Sequence, residues 1–329
     1  MLIAIDWGSS HFRALLLNES GEVLHRSESD QGILSHHFED DHSGEHFSKV
    51  VQQHCQRWLD EYGSVPCYLG GMIGSRSGWI ETDYFDHQQW LSQLSSHLVN
   101  SGIGNLHIVP GVSIQKSSGN WDVMRGEEIQ ILGALQLLNN IGDEQSITIC
   151  LPGTHSKWAE VTVKKTKNWN DGKIENFSTF MTGELFQWAH EKSSLSSLMN
   201  RGELSEALNK QAFLDGVNRG NSAQPLSHTL FSIRANSLMA KQPNASDYLS
   251  GLLIGQEIYA GLALNEKNER SHTSIAIVGN PKLASRYQLA LTQFDKKSHH
   301  VDGEKAFCMG IAFIHQLNID KPNAVNQPV

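Results

Sequence analysis

Cysteine is scarce in this chain. Cys55, Cys67, Cys150 and Cys308 are scattered, and no two form a CxxC pair. That pattern argues against a disulfide framework or a cysteine-based zinc site and predicts reduced, partly buried thiols. Positive charge is also short: 26 Lys and Arg face 35 Asp and Glu, a formal net charge of −9. A general nucleic-acid or anionic-membrane binder needs an electropositive surface, so neither class is expected. A small anionic substrate is still compatible, because a few focused Arg, Lys or backbone N–H groups override the global sign locally. Long apolar runs are missing as well. Asp6 and Arg13 interrupt the apolar start of the chain, so neither a signal peptide nor a membrane span fits, and the cytoplasm is the expected compartment. The GxxxxGK[ST] phosphate loop is absent, and Gly102-Ile-Gly104 lacks the third glycine of a dinucleotide fingerprint.

What is present fits a globular α/β protein. The 329 residues suggest two domains, and 39% hydrophobic against 19% charged residues supply a core. Leu2–Ile5, Phe12–Leu17 and Glu22–Glu28 read as strands separated by the turns Asp6–His11 and Asn18–Gly21. Phe47, Val50, Val51, Trp58 and Leu59 repeat at helical spacing, and Gly63 stops that segment. Cys67–Leu69 and Leu106–Val109 read as strands, Gly70–Gly78 as a loop, and Trp90–Val99 and Glu127–Leu138 as helices.

The order then restarts. Ile147–Leu151, Lys157–Val163 and Glu175–Phe180 are predicted strands, with turns at Pro152–His155 and Asn168–Gly172. A long helical stretch runs from Glu184 to Leu264, followed by a strand at Ser274–Val278 and helices from Lys282 to Leu291 and from Gly303 to Leu317. Lys321–Val329 is expected to fray. A β-turn-β-turn-β unit met twice predicts two lobes of mixed sheets with a cleft between them.

The strongest chemical feature is the pair Asp6-Trp-Gly-Ser-Ser-His and Leu151-Pro-Gly-Thr-His-Ser-Lys157. Each follows the first strand of one half and combines glycine with hydroxyl residues. Such a turn lets backbone N–H groups approach an anion closely. Two of them facing across a cleft would grip consecutive phosphates, with Asp6 suited to hold a hydrated Mg²⁺.

Six motifs in order carry a family resemblance. They are Asp6-Trp-Gly-Ser-Ser, Gly71-Met-Ile-Gly-Ser-Arg-Ser-Gly-Trp79, Val109-Pro-Gly-Val112, Asp122-Val-Met-Arg-Gly-Glu-Glu128, Leu151-Pro-Gly-Thr-His-Ser-Lys-Trp158 and Thr179-Phe-Met-Thr-Gly-Glu-Leu185. Together they resemble the 2-dehydro-3-deoxygalactonokinase family of the sugar kinase/Hsp70/actin superfamily, densely to about residue 190 and more loosely to about 317. The resemblance implies an α/β, two-lobed actin/hexokinase-like fold of duplicated ribonuclease-H-like domains with an interlobe cleft. It implies a sugar-acid-binding lobe over 1–122 and a nucleotide-binding lobe over 123–329, with the last helix, 303–317, packing across to the N-terminal lobe.

It further implies an ATP- and Mg²⁺-dependent phosphorylation of the C6 hydroxyl of 2-dehydro-3-deoxy-D-galactonate, whose product goes to an aldolase. Gly8, Ser9 and Ser10 would form the first phosphate hairpin, and Gly153, Thr154, His155, Ser156 and Lys157 the second. Gly183, Gly279 and Asn280 would lie near the nucleotide, and Gly310 would cross closely against Gly133. Ser9 and Ser10 stand where threonines are expected, which preserves the hydroxyls, and His11 replaces a small polar residue.

The sugar acid carries a carboxylate and a 2-keto group. Ser75, Arg76 and Trp79 on the glycine-rich loop are its candidate ligands, Arg76 for the carboxylate and Trp79 as an apolar wall for the C3 methylene; Arg125 is a second cation. Phosphoryl transfer needs a group to accept the hydroxyl proton. One alignment places Asp122 in that role and another Glu127, and Glu127 is preferred. Glu128 reads as an acidic residue favoured by the helix dipole, and Glu184 as a further carboxylate near the cleft.

Two competing readings stay open. One keeps the fold and changes the sugar acid to another 2-keto-3-deoxy acid such as the gluconate epimer. The other is a non-kinase ATPase switch or sugar sensor. A sensor of the repressor type needs a DNA-binding segment ahead of Asp6, which the chain does not show. The segment 200–245 reads as an insert that either caps the nucleotide or makes a homodimer contact. His42 and His46 have helical metal-pair spacing, but the segment reads as a polar loop entering a helix.

Overall fold

The computed structural model describes residues 1–35, 44–138, 146–199, 208–240, 244–265 and 274–320. His42 and the tail 321–329 lie outside them. The chain divides into two compact units. Unit 1 comprises Met1–Gln145, Val161–Asn176 and Val301–Val329, and unit 2 comprises Ser146–Glu160 and Phe177–His300.

Unit 1 opens on two antiparallel hairpins: β1 (Leu2–Trp7), β2 (Phe12–Leu17) and β3 (Val23–Ser29). Apolar residues fill nearly every position of β1 and β2 because both faces of these strands are covered. Helix α1 (Glu45–Tyr62) crosses back and buries Phe47, Val50, Val51, Cys55 and Trp58, the stripe that helical spacing predicts. It ends at Gly63, whose φ of 78° stops the helix. Strand β4 (Cys67–Gly71) then pairs parallel to β1, and this places Asp6 opposite Gly70 and Trp7 opposite Gly71.

Short strands follow: β5 (Phe85–Asp86), β6 (Val99–Asn100), β7 (Leu106–Ile108), β8 (Val112–Gln115) and β9 (Trp121–Met124). The main sheet has the order β3-β2-β1-β4-β7-β6, and β5-β8-β9 form a separate small sheet. Helix α2 (Glu127–Leu137) leaves β9 directly.

In the second half, β10 (Ser146–Leu151), β11 (Ser156–Lys165) and β12 (Asn170–Phe180) repeat the opening pattern. Helices α3 (Thr182–Glu191), α4 (Lys210–Gly220), α5 (Leu226–Ala240) and α6 (Ala245–Asn265) follow, then β13 (Ser274–Gly279), α7 (Pro281–Leu291), β14 (Ser298–Asp302) and α8 (Gly303–Ile319). The sheet order is β12-β11-β10-β13-β14, with β10 parallel to β13. Its core gathers Trp158, Phe213, Ile254, Ile258, Ile277 and Tyr287.

Several expectations change. Trp90–Val99 is not one helix but a 3₁₀ segment, Leu91–Ser96, followed by β6. The Asp171 carboxylate accepts hydrogen bonds from the Ser92 N–H and hydroxyl and ties that segment down. The turn at Asn168–Gly172 is tighter than expected: Thr166 and Trp169 close it, and Gly172 is buried inside β12. The boundary expected at 122/123 falls inside unit 1, because α2 packs on α8 and both belong to that unit. Their crossing is close at two glycines. A methyl on Gly133 would strike the Ala306 carbonyl, and one on Gly310 would strike that of Ile129.

All four cysteines are free and buried. Among the described residues no helix is long and apolar enough to cross a membrane.

Candidate functional site

The first hairpin is closed by the Gly8 N–H donating to the His11 carbonyl at 2.9 Å. The carbonyls of Gly8 and Ser9 accept from Ile33 and Leu34, at 3.0 and 2.9 Å. The following chain thus buttresses the turn through its carbonyls. The N–H groups and hydroxyls of Ser9 and Ser10 have no protein partner among the described residues, and both residues reach the surface. Donors left over in this way suit an anion.

At the end of β1, burial pushes the Asp6 carboxyl above its ordinary value. Arg13 opposes that shift, and Glu127 and Glu304 add to it. Glu127 is therefore close enough to act on Asp6, and main-chain geometry explains how. Gly71 has a φ of 88°, and a side chain there would lie 2.8 Å from the Trp7 carbonyl and 3.6 Å from the Asp6 carboxylate. Gly126 has a φ of 99°, and its missing methyl would meet the Gly71 Cα at 3.4 Å. Two glycines in conformations that other residues rarely adopt let the start of α2 approach the end of β1.

The two glutamates that open α2 both reach back. Glu127 accepts the Arg125 N–H at 3.0 Å, and both Glu128 oxygens accept the Gly126 N–H at 2.9 and 2.8 Å. Glu128 is fully buried. Burial, then the charge of Glu127, pushes its carboxyl up to about 8. Asp122 sits instead on β9, where its carboxylate accepts the Val123 N–H at 2.9 Å and its strand pairs with β8.

Arg125 is held rather than free. Its guanidinium donates to the Thr82 hydroxyl at 2.6 Å and the Thr82 carbonyl at 2.8 Å, and it lies 4.1 Å from the Tyr84 ring centroid. Its buried Nε has no hydrogen-bond partner among the described residues. The Gly74 Cα side leaves room for it, since a methyl there would lie 3.2 Å from Nη1. Arg76 is exposed and has no ion pair among the described residues. The Ser75 hydroxyl donates to the Met72 carbonyl at 2.7 Å. Trp79 stacks on Phe47 of α1, 6.3 Å between centroids, at the margin of the core. The structure therefore groups Asp6, Glu127, Glu128 and Gly71, holds Arg125 beside the same turn, and leaves Arg76 and Trp79 to other surroundings.

The second hairpin is held from within. Ser156 is fully buried; its hydroxyl lies 3.4 Å from the Gly153 N and 3.2 Å from the Tyr287 hydroxyl. Lys157 is buried too and donates to the His155 carbonyl at 3.0 Å. The Glu184 N–H donates to the Thr154 carbonyl at 3.1 Å, and exposed His155 pairs with the Glu184 carboxylate. Gly183 touches the turn: a methyl would strike the Gly153 carbonyl and sit 2.8 Å from the Thr154 Cα. Asn280 caps α7 by accepting the Lys282 N–H at 2.8 Å, and the Gly279 carbonyl accepts from His300 Nε2 at 3.0 Å.

Gly153, Gly183 and Asn280 open onto one cavity of about 310 Å³, whose wall includes Phe186, Leu253, Ile254, Leu283 and Arg286. A mostly apolar slot with a hydrogen-bonding hairpin at its mouth suits a flat ring joined to an anion.

The profile of the 2-keto-3-deoxy-galactonokinase family matches residues 6–314. This chain belongs to that family. The family is part of the sugar-kinase/actin superfamily, and its activity is that of a 2-keto-3-deoxy sugar-acid kinase. The chain is 32% identical to the probable 2-dehydro-3-deoxygalactonokinase of Rhizobium meliloti over 94% of both chains. It is 31% identical to the 2-dehydro-3-deoxygalactonokinase of Escherichia coli over 95% of this chain and 96% of that one. A Sinorhizobium meliloti crystal structure, provisionally assigned to the same kinase class, superposes with a TM-score of 0.80 at 30% identity, covering 96% of this chain and 98% of that one.

Within this kinase-family chain, sequence reasoning missed part of the cavity wall. Arg286 is 5% exposed, donates to the Ser250 hydroxyl at 2.9 Å and pairs with Asp247 at 3.4 Å. Phe186, Leu253 and Arg286 come from α3, α6 and α7, too far apart in sequence for spacing to join them. A buried arginine in the middle of α7 was the available signal. Residues 208–240 of the expected insert do not line this cavity.

Proposed function

We propose that this chain transfers the γ-phosphoryl group of ATP to the C6 hydroxyl of 2-dehydro-3-deoxy-D-galactonate. The observation that carries the nucleotide half is the cavity of unit 2, where Gly153 and Gly183 bring a hydroxyl-bearing hairpin against an apolar slot. The adenosine fills the slot and the phosphates meet the hairpin. Ser9 and Ser10, whose donors have no protein partner among the described residues, form an anion-binding turn of unit 1 suited to phosphate.

Arg125 binds the sugar-acid carboxylate. Thr82 and Tyr84 already fix its guanidinium, so little side-chain freedom is lost on binding. Glu127 takes the hydroxyl proton as the new C6–O–P bond forms and ADP leaves with the electrons of the broken P–O bond. Asp6 is an oxygen ligand surrounded by like charge from Glu127 and Glu304, which fits a hydrated Mg²⁺. The metal would neutralise phosphate oxygens; Asp6 would hold it through water. The cytoplasm supplies ATP and keeps the four thiols reduced.

The test is ADP release with a panel of 2-keto-3-deoxy aldonates, including the gluconate epimer. The galactonate acid is expected to give the highest kcat/KM. Glu127→Gln should lower kcat by about 10²–10⁴-fold, the usual worth of a general base, while Asp122→Asn stays within tenfold. No sugar-acid-dependent release across the panel sinks the proposal; loss of turnover only in Asp122→Asn moves the base.

A further inference from the structure

One buried carboxylate is used by nothing described so far. Glu257 lies in α6 and is 2% exposed. One oxygen accepts the Trp158 indole N–H at 2.8 Å, and the other accepts the Tyr287 hydroxyl at 2.8 Å. The Thr182 and Ser156 hydroxyls face it as well, and both oppose the upward push of burial on its carboxyl. These four groups come from β11, α7 and the start of α3, and of them Thr182 and Tyr287 line the cavity. Among the described residues its partners include no cation; burial pushes its carboxyl above the ordinary value, and neutral groups alone oppose that shift.

Proton counting shows what this arrangement does. A serine hydroxyl has one proton. Tyr287 gives its one proton to Glu257, so its oxygen accepts the Ser156 proton at 3.2 Å, and the Ser156 oxygen is left as an acceptor for the Gly153 N–H, 3.4 Å away. Glu257 thereby sets, through Tyr287, the direction of the hydroxyl beneath the hairpin. Thr182 immediately precedes Gly183, the residue packed against that hairpin, and Tyr287 lines the cavity. A negative charge placed here disfavours a nearby polyphosphate on electrostatic grounds, so attraction does not explain its presence; geometry does.

We infer that Glu257 is the positioning residue of the nucleotide site, an acceptor hub that fixes the second hairpin and the start of α3 for phosphate binding. This rests on the proposal that unit 2 binds the nucleotide. An amide in its place would turn one acceptor into a donor and leave a buried donor facing another.

The test is calorimetric titration of the full chain with ADP, beside KM values for ATP and for 2-dehydro-3-deoxygalactonate. Glu257→Gln is expected to weaken ADP at least tenfold and raise the KM for ATP to match, while the KM for the sugar acid stays within twofold. Trp158 does not line the cavity, so Trp158→Phe reads the hub without touching the nucleotide; a loss of at least threefold in ADP affinity is expected. Trp158→Phe decides if Glu257→Gln does not fold. A folded Glu257→Gln with wild-type ADP affinity, or an equal rise in both KM values, overturns the inference. Gly183→Ala separates the two levels. If it abolishes ADP binding while both hub variants bind normally, only the hub is wrong. If the wild-type chain binds no ADP, the nucleotide reading and the hub fall together.

Discussion

In unit 1 the Glu128 carboxylate relies on main-chain N–H groups, with both oxygens on that of Gly126 and its own N–H close by. In unit 2 the Glu257 carboxylate accepts from an indole and a phenol hydroxyl, with the Thr182 and Ser156 hydroxyls facing it. The hairpins repeat the contrast. The first is braced by main-chain bonds from Ile33 and Leu34 to its carbonyls, the second by the buried Ser156 side chain. Two turns of similar composition are thus held by different means. Where the main chain does the holding, side-chain donors are left over for a ligand and the glycines carry the geometry. Where side chains do the holding, each polar atom has a structural task, and removing one strands its partner.

The largest expected effect tests the two carboxylates. Glu128 has only main-chain donors and deep burial, and its carboxyl rises to about 8 from an ordinary 4.5. The unfolded chain releases that proton near 4.5, whereas the folded chain holds it to about 8. Between those values the folded state binds more protons, so the stabilisation present below 4.5 is lost as pH rises towards 8. Each unit of difference is worth about 1.4 kcal/mol, which makes the total a few kcal/mol. Urea melts across this range should show wild-type stability falling with pH and a flatter profile for Glu128→Gln. Glu257→Gln should instead lose stability at every pH, because it strands a donor. Parallel slopes in wild type and Glu128→Gln would mean that Glu128 is ionised in the fold.

Next come the glycines. A methyl on Gly32 would strike the backbone of Ser10 and displace the first hairpin, as one on Gly183 would displace the second. Overpacking of this kind costs about 1–3 kcal/mol. Gly32→Ala is expected to lower kcat more than ADP affinity, and Gly183→Ala to remove ADP affinity first. Identical profiles for the two variants, measured by steady-state kinetics and calorimetry, would erase the distinction between the hairpins.

Much of this was readable in the chain. Both hairpins and the opening of α2 at Glu127 rest on local signals, apolar runs and turn chemistry, whereas the Gly133–Gly310 crossing was implied by the family resemblance. The small β5-β8-β9 sheet was not readable, because a strand as short as Phe85–Asp86 carries no periodicity. Nor was the role of Glu128. Its place in a first helical turn suits the helix dipole, and only the fold shows that the residue is sealed from water. In sequence Arg76 was the first candidate for the carboxylate and Arg125 the second; Thr82 and Tyr84 fix Arg125, and neither adjoins it in the chain. Glu257 left one trace, a lone carboxylate in the apolar run Leu252-Leu253-Ile254-Gly255-Gln256-Glu257-Ile258. A charge at such a position predicts buried partners, although not which ones.

The smallest expected effect makes the sharpest version of the comparison, because it exchanges one hydroxyl in each hairpin. Ser156→Ala removes a fully buried oxygen and leaves the Gly153 N–H and the Tyr287 oxygen without that partner. An unsatisfied buried group costs about 1–3 kcal/mol, so the melting midpoint should fall before any ligand is added. Ser9→Ala removes a hydroxyl with no protein partner, and its stability should stay within about 0.5 kcal/mol of wild type. Its cost should appear only with nucleotide present. A hydrogen bond to a charged phosphate contributes about 1.5–3 kcal/mol, which corresponds to roughly a tenfold or larger loss in kcat/KM for ATP. A Ser9→Ala chain that melts early would show that its hydroxyl braces the fold after all. A Ser156→Ala chain that melts normally but binds ADP weakly would make Ser156 a ligand rather than a brace, and the two hairpins would then work alike.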